Sequence, residues 1–153
     1  AFTVQVADST GLICQKQFHL TAQGNFMNIT PSILSATPTQ FGSGTIAAGT
    51  YRVGYVNGAL KYNPAQGFAL NNPFSANGYR ITYMLGGVST TVALPGANGE
   101  YSTQAACEAG NSSAGLTIVH SGGGPIEMFL DDAPNYGDNV AGSPNPTFSL
   151  VLL

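Results

Sequence analysis

Charged side chains are scarce in this sequence. They make up 7% of the 153 residues, and the net charge is −3 at pH 7. Binding to a nucleic acid or to an anionic membrane surface depends on clustered basic side chains. The chain has four basic residues, and they are scattered along it: Lys16, Arg52, Lys61 and Arg80. We therefore expect neither kind of partner.

Long apolar runs are missing as well. No run approaches the roughly 20 residues that span a bilayer, so we expect no insertion into a membrane. The N-terminus lacks the basic and apolar regions of a signal peptide, which predicts a chain that is already processed or an excised fragment. Glycine (20 residues) and proline (9) are frequent instead, together with serine, threonine and asparagine. This composition is typical of a secreted or cell-surface β-protein.

Side chains that perform acid–base or nucleophilic chemistry are also few. The two histidines, His19 and His120, lie far apart on predicted strands, and no serine stands in a Gly-x-Ser-x-Gly motif. Cys107 has no basic neighbour in the sequence that would lower the pKa of its thiol. Three glutamates remain as partners for an aspartate in a glycosidase: Glu100, Glu108 and Glu127. Because acid–base catalysis depends on such groups, their scarcity predicts that the chain is not an enzyme.

Only two cysteines are present, Cys14 and Cys107. They fit a single disulfide in an oxidising compartment, and they fit two free buried thiols equally well. Neither cysteine lies in a spacing typical of metal ligands. The cysteines therefore leave the redox environment of the protein open.

Short segments of alternating apolar and polar residues recur along the chain, separated by turn residues. They predict strands at 49–58, 79–85, 88–94, 116–120, 126–130 and 147–153. Gly86-Gly87 is a typical two-residue hairpin turn, and only residues 103–109 favour a turn of helix. Many short strands without a helical period predict an all-β fold, an antiparallel β-sandwich of jelly-roll or galactose-binding-like type, over residues 45–153.

The segment before residue 45 has a different organisation. Residues 1–24 predict a β-hairpin with strands at 2–6 and 12–21. This pair resembles the last two strands of the immunoglobulin-like or cadherin-like repeats of bacterial surface proteins. A lone hairpin is marginal in water, so we expect a remnant of such a repeat, a segment that exchanges strands with another chain, or a hairpin packed on the main domain. Residues 25–44 are predicted to form a linker or edge segment with one irregular strand.

One loop concentrates the acidic side chains. Three of the seven acidic residues lie within eight positions, next to two asparagines: Asp131, Asp132, Asn135, Asp138 and Asn139. An ordinary polar turn has the same residue types. The alternative is a site for a hard cation, which would neutralise the repelling carboxylates. Calcium is the preferred ion, because the loop contains neither histidine nor cysteine and lacks the spacing of an EF-hand.

This loop and the strands around it resemble the calcium-dependent galactose-binding lectins of the PA-IL-like bacterial family. In that family a strand is followed by an aspartate, a proline, a Thr-Tyr-Gly-Asn-Asn element and a closing strand. Here Asp131–Asn139 and Thr147–Ser149 stand in the same order. Upstream, Gly49–Pro64 is similar to the family's strand that ends in a calcium-binding tyrosine, which corresponds to Tyr62. The resemblance implies the β-sandwich fold of these lectins for residues 45–153.

The resemblance also implies a set of calcium ligands. Four of them are the carbonyl oxygens of Tyr62 and Asn135 and the side chains of Asp138 and Asn139. A fifth ligand is an aspartate at the end of the preceding strand. Counting along the strand favours Asp132, whereas the spacing of the loop favours Asp131, and we rank Asp132 first.

In the family the same ion coordinates two sugar hydroxyls, helped by a histidine and a glutamine from the loop after the tyrosine. The corresponding region here, residues 66–77, has no histidine. The resemblance implies a carbohydrate-binding set that combines this region with two ion ligands: Gln66, Asn71, Asn72, Asp132 and Asn139. A galactose-type sugar is the implied ligand. Calcium that is purely structural stays open as the alternative.

The sequence thus supports two functions. The first is a calcium-binding, lectin-like module of a secreted or cell-surface protein that recognises carbohydrate. The second is a structural or adhesive subunit of an extracellular filament or adhesin, in which calcium is structural and strands are exchanged between subunits. The low charge and the separate hairpin fit the second function, which predicts a homo-oligomer or a filament.

Overall fold

The computed structural model describes residues 2–7, 13–18, 27–96 and 99–153, the first two ranges as backbone strands only. In chain order the strands are β1 (Phe2–Ala7), β2 (Ile13–Phe18), β3 (Met27–Ile29), β4 (Thr39–Gln40), β5 (Gly49–Asn57), β6 (Leu60–Lys61), β7 (Gly78–Leu85), β8 (Val88–Ala93), β9 (Gly115–His120), β10 (Glu127–Asp131), β11 (Val140–Ala141) and β12 (Thr147–Leu152). Helix α1 covers Gln104–Asn111, and Tyr136–Asp138 form a short 3-10 helix.

Two four-stranded sheets make up the body of the protein. The strand order is β4-β10-β7-β8 in the first sheet and β3-β12-β5-β9 in the second. Neighbouring strands are antiparallel in both sheets. The short strands β6 and β11 form a separate antiparallel pair. The predicted all-β class with antiparallel sheets is therefore confirmed.

The two sheets pack face to face around one apolar core. The rings of Phe148 in β12 and Tyr79 in β7 lie 4.6 Å apart, measured between centroids, although their strands belong to different sheets. Successive side chains of a strand point to opposite faces. In β5 the buried residues are Tyr51, Val53 and Tyr55, as the sequence predicts. The architecture is a β-sandwich, and its jelly-roll or galactose-binding-like subtype stays a prediction.

The turn between β7 and β8 is formed by Gly86-Gly87, as predicted. Both glycines have positive φ angles, +59° and +81°. A two-residue hairpin turn of type I′ requires positive φ at both central positions, and glycine adopts it without strain. The tight turn aligns β8 with β7 from Val88 opposite Leu85 to Ala93 opposite Arg80.

The predicted N-terminal strand pair is present. β1 and β2 are antiparallel, with Phe2 opposite Phe18 and Ala7 opposite Ile13, and they form a two-stranded sheet of their own. The predicted turn at 8–11 and His19 lie outside the described residues.

For residues 25–44 the sequence predicts a linker or an edge segment with one irregular strand, and the structure has two edge strands there. β3 pairs with β12 and β4 pairs with β10, so this segment supplies one edge strand to each sheet. Its apolar side chains Ile29, Ile33 and Phe41 are buried in the core. Burial of these apolar side chains stabilises the packing of the segment against the sandwich. The sandwich therefore extends back to Met27, ahead of the predicted domain boundary at residue 45.

Helix α1 is longer than the predicted turn at 103–109. The Thr103 hydroxyl oxygen accepts a hydrogen bond from the Ala106 N–H at 3.2 Å and caps the helix N-terminus. A carboxylate oxygen of Glu108 accepts from the Gly58 N–H at 3.0 Å, which attaches the helix to the sandwich. Among the described residues, no helix has the length and apolar character that a membrane span requires.

Candidate functional site

The acidic loop follows β10 and is held at both ends by paired strands. Asp131 is the last residue of β10, and β11 begins at Val140. Val140 lies opposite Lys61 in the pair of β11 with β6. Continuing this register by one step places Asn139 next to Tyr62. Two residues of the predicted ligand set are thus brought together from distant parts of the chain.

The adjacent aspartates Asp131 and Asp132 have opposite environments. The Asp131 carboxylate lies 3.1 Å from Nε of Arg80, and both side chains of this ion pair are partly exposed. Asp132 is only 2% exposed. Consecutive residues at a strand end face opposite sides, so burial of one exposes the other. Asp131 is therefore not brought into the candidate site, whereas Asp132 is.

Two buried side-chain oxygens of this loop have no hydrogen-bond partner in the described part of the chain, Oδ2 of Asp132 and Oδ1 of Asn139. The other polar atom of each side chain is bonded. Oδ1 of Asp132 accepts from Nδ2 of Asn77 at 2.8 Å, and Nδ2 of Asn139 donates to the Ile33 carbonyl at 2.7 Å. Unpaired buried acceptors are rare, because the water they lose is not replaced. A bound water or a cation would replace it.

Hydrogen bonds within the loop hold it in one shape. The Asn135 N–H donates to the Asp132 carbonyl at 2.8 Å. The Tyr136 hydroxyl accepts from the Asp132 N–H and donates to the Leu130 carbonyl, both at 3.2 Å. The side chains of Asn135 and Asp138 are exposed. Of the five predicted ligands in this loop, the structure buries the side chains of Asp132 and Asn139, leaves Asp131 partly exposed, and exposes Asn135 and Asp138.

The Tyr62 phenol is used by the core. Its hydroxyl donates to the Leu70 carbonyl at 3.0 Å. Burial raises the pKa of Tyr62 well above its usual value, and Tyr79 and the Asp132 carboxylate raise it further. The phenol therefore stays protonated, and the backbone carbonyl is the atom that Tyr62 can offer to an ion.

A cation at this loop would rely on few charged ligands. In the described ranges, no three His, Cys, Asp or Glu side chains are placed to hold a metal ion together. Asp132 would supply the buried charge, and amide and carbonyl oxygens would supply the other ligands. Such an oxygen-only set suits calcium better than a transition metal.

The predicted sugar-facing residues are used largely by the fold. The Asn71 amide donates to the Leu94 carbonyl and accepts from the Tyr79 N–H, both at 3.3 Å, and so joins the start of β7 to the end of β8. Oδ1 of Asn72 accepts from the Phe74 N–H at 3.0 Å. Gln66 lies in a different turn, where its N–H donates to the Asn63 carbonyl. No described hydrogen bond joins any of these three residues directly to Asp132 or Asn139.

Asn77 is a site residue that sequence reasoning missed. Its side chain is the hydrogen-bond donor to Asp132, across 55 positions of the chain. In the sequence Asn77 is one of several asparagines in a loop, and nothing distinguishes it from Asn71 or Asn72. Only the pairing of β7 with β10, in which Gly78 lies opposite Asp131, brings Asn77 to the acidic loop.

The glutamates and Cys107 have structural contacts. The Glu100 carboxylate accepts a hydrogen bond from the Gly67 N–H, and the Glu108 carboxylate accepts one from the Gly58 N–H. The Glu127 carboxylate accepts one from Nε2 of Gln40. Cys107 is buried and is not in a disulfide. Burial raises the pKa of its thiol to about 11, so the thiol is protonated at neutral pH. The absence of enzyme activity stays a prediction.

Comparisons of the chain with protein-family models, with curated proteins and with solved structures found no match. The resemblance to the PA-IL-like lectins therefore stays a prediction, carried by Gly49–Pro64 and Asp131–Asn139. The fold that is established is a two-sheet antiparallel β-sandwich, with two unpaired buried oxygens in the loop after β10.

Proposed function

We propose that this chain is a calcium-binding β-sandwich module of a secreted or cell-surface protein, and that it recognises carbohydrate. The observation that carries the proposal is the pair of unpaired buried oxygens, Oδ2 of Asp132 and Oδ1 of Asn139. A buried carboxylate without a full set of partners is unfavourable unless a cation or a hydrogen bond compensates it. Calcium, which takes oxygen ligands only, compensates both atoms.

Asp132 and Asn139 are the proposed central ligands. The Tyr62 carbonyl, next to Asn139 by strand register, is the third. Asn135 and Asp138 lie on the exposed part of the loop and complete the protein ligands. Calcium takes about six to eight oxygens, so water molecules occupy the remaining positions.

Calcium-dependent sugar binding is the expected behaviour of such a module. The labelled protein is applied to an array of galactose-, glucose- and mannose-terminated glycans, once with millimolar calcium and once with excess chelator. We expect binding in calcium, loss of binding in chelator and recovery when calcium is restored, because the ion shapes the loop. Absence of binding in calcium would remove the carbohydrate function, and binding that chelator leaves unchanged would remove the role of the ion in it.

A second candidate function is favoured by the edge of the first sheet. β8 is the last strand of that sheet, and in the described part of the chain it pairs with β7 only. Its sequence, Val-Ser-Thr-Thr-Val-Ala, has no charged residue and no proline, and Val88 is exposed. Natural edge strands are usually protected by charges, prolines or bulges. We propose, as the alternative, a filament or adhesin subunit in which β8 pairs with a strand of another copy.

A lysine on β8 tests this alternative. Ser89 is exposed, and Ser89→Lys adds a charge to the open edge. If β8 joins copies, wild type associates at high concentration in sedimentation experiments and Ser89→Lys stays monomeric. Thr50→Lys is the matched control, because Thr50 is exposed on β5, which has a strand on both sides. A wild type that is monomeric at high concentration in calcium would contradict the alternative.

A further inference from the structure

A polar cleft of about 250 Å³ lies beside the candidate cation site. Residues 71 and 75–80 form one wall, and residues 93–96 at the end of β8 form the other. Pockets for drug-sized ligands measure about 300 to 1,000 Å³. This cleft is smaller, and its size suits one unit of a larger ligand, such as a single sugar ring.

The wall formed by the loop before β7 is held rigidly. The Asn72 N–H donates to the Asn77 carbonyl at 3.0 Å, and Oγ of Ser75 accepts from the Asn77 N–H at 3.1 Å. Oδ1 of Asn72 accepts from the Phe74 N–H. A loop that is ordered before binding loses little conformational entropy when a ligand arrives, which favours affinity.

The charge in the cleft is balanced, and hydrogen-bond donors remain. Arg80 uses Nε for Asp131 and one Nη2–H for the Ala76 carbonyl, at 3.1 and 2.9 Å. A guanidinium has five N–H groups, so the described contacts leave three of them for a ligand. Because Asp131 neutralises the arginine, the cleft favours a neutral ligand rich in oxygen acceptors.

An exposed aromatic residue immediately precedes one wall of the cleft in the sequence, although it is not itself a lining residue. Phe74 directly precedes the lining residue Ser75, and it is 69% exposed. A large exposed apolar side chain next to polar groups is typical of a binding surface. A sugar ring has both kinds of partner, because its C–H face packs on an aromatic ring while its hydroxyls form hydrogen bonds.

The cleft is connected to the candidate cation site through Asn77. This residue lines the cleft, and its Nδ2 donates to Oδ1 of Asp132 at 2.8 Å. An ion on the other oxygen of Asp132 would fix the carboxylate and with it the Asn77 side chain. Occupancy of the ion site thereby favours the shape of the cleft.

We propose that the cleft between residues 71–80 and 93–96 binds one unit of a neutral saccharide. Phe74 packs on the C–H face of the sugar, Arg80 donates hydrogen bonds to its oxygens, and Asn77 transmits the state of the ion. The inference rests on the proposed carbohydrate function and locates it at residues that the ion does not touch.

Two variants of the cleft test the proposal. Phe74→Ala removes the exposed ring, and Ala93→Trp fills the cleft from an exposed position on β8. Affinity is measured by calorimetry and saturation-transfer NMR with the methyl glycosides of galactose, glucose and mannose in calcium. We expect each variant to weaken binding by about tenfold or more, because Phe74→Ala removes the ring that packs on the sugar and Ala93→Trp occupies the space of the sugar.

Matched controls separate this effect from damage to the fold. Leu34→Ala removes another exposed apolar side chain, and Val119→Trp introduces the same large ring on β9. Both controls should bind as wild type does. Phe74→Ala should also keep the increase in melting temperature that calcium produces.

The possible outcomes separate a failure of the cleft proposal from a failure of the carbohydrate function on which it rests. If wild type binds none of the three glycosides, the carbohydrate function and the cleft proposal both fail. If wild type binds and the two cleft variants bind equally well, only the cleft proposal fails. A preference for galacturonate over the neutral galactoside would overturn the neutral class of the ligand.

Discussion

Calcium at about 10 mM is expected to raise the melting temperature of this protein by about 3 to 11 °C over the chelator-treated protein. Extracellular modules bind calcium with dissociation constants of about 0.1 to 1 mM. A ligand at about 10 to 100 times its dissociation constant contributes about 1.4 to 2.7 kcal/mol to the free energy of unfolding, provided that it binds only the folded state. The unfolded chain cannot hold Asp132, Asn139 and Tyr62 together, so this condition is met. Scanning calorimetry with calcium or chelator measures the increase.

The two adjacent aspartates provide the matched pair for this experiment. Asp132→Asn and Asp131→Asn both change the net charge from −3 to −2. Asp132→Asn is expected to abolish the calcium effect, because it removes the charge of the buried ligand. Asp131→Asn breaks a partly exposed ion pair with Arg80, which costs at most about 1 kcal/mol, and is expected to keep the calcium effect.

Two results would contradict the ion site. An unchanged melting temperature of wild type in calcium would remove the site altogether. A calcium effect that is equal in wild type and Asp132→Asn would place the ion elsewhere. Magnesium at the same concentration is expected to have the smaller effect, because it requires a regular octahedron of ligands that a loop of mixed amide and carbonyl oxygens does not provide.

Replacement of His120 by alanine is expected to lower the free energy of unfolding by about 2 to 6 kcal/mol. His120 lies on β9 and is 1% exposed. Its Nδ1 accepts from the Met84 N–H at 3.2 Å, so Nε2 carries the proton and donates to the Ile46 carbonyl, also at 3.2 Å. Met84 belongs to β7 of the other sheet. The imidazole thus connects the two sheets and the segment that precedes β5.

The expected loss is large because alanine leaves two backbone groups buried without partners. Each such group costs about 1 to 3 kcal/mol. The packing of the Tyr51 ring edge-on to the imidazole, with centroids 6.2 Å apart, is lost in addition. Urea denaturation followed by fluorescence or circular dichroism measures the change.

Two further variants define the origin of this effect. His120→Gln keeps one donor and one acceptor and is expected to lose less stability than His120→Ala. Val119→Ala alters the exposed neighbour on the same strand, and such a surface change is expected to stay within about 0.5 kcal/mol of wild type. If His120→Ala lies within about 1 kcal/mol of wild type, the two hydrogen bonds do not join the sheets as described.

The longer strands were predictable because their signal is local. Tyr51, Val53 and Tyr55 alternate along β5, and Gly86-Gly87 specifies the turn of the β7–β8 hairpin whatever lies around it. β3 and β4 carry no such signal, since they have three and two residues. They become strands because β12 and β10 offer them unpaired edges and the core buries Phe41 beside them. From the sequence alone, the segment 25–44 therefore fits a linker and an edge segment equally.

The sequence predicts a group of oxygen donors in one loop. It does not predict which of these oxygens are buried or which residues contact them. The sequence ranks Asp132 ahead of Asp131 but does not decide between them, because counting along the strand favours Asp132 and the spacing of the loop favours Asp131. Pairing of β10 with β7 decides the matter, since it sets Arg80 beside Asp131 and Asn77 beside Asp132. It also gives Asn71 a structural role that the sequence does not indicate.

The sequence by itself determined the low charge, the antiparallel all-β class, most of the strands and the concentration of oxygen donors after a buried strand. These properties depend on residue types and on neighbours along the chain. The tertiary structure alone decided which aspartate is buried, which oxygens lack partners, and that a polar cleft adjoins them. These depend on segments about 50 or more positions apart, because the burial of a side chain and its hydrogen-bond partners are set by whatever the fold packs against it.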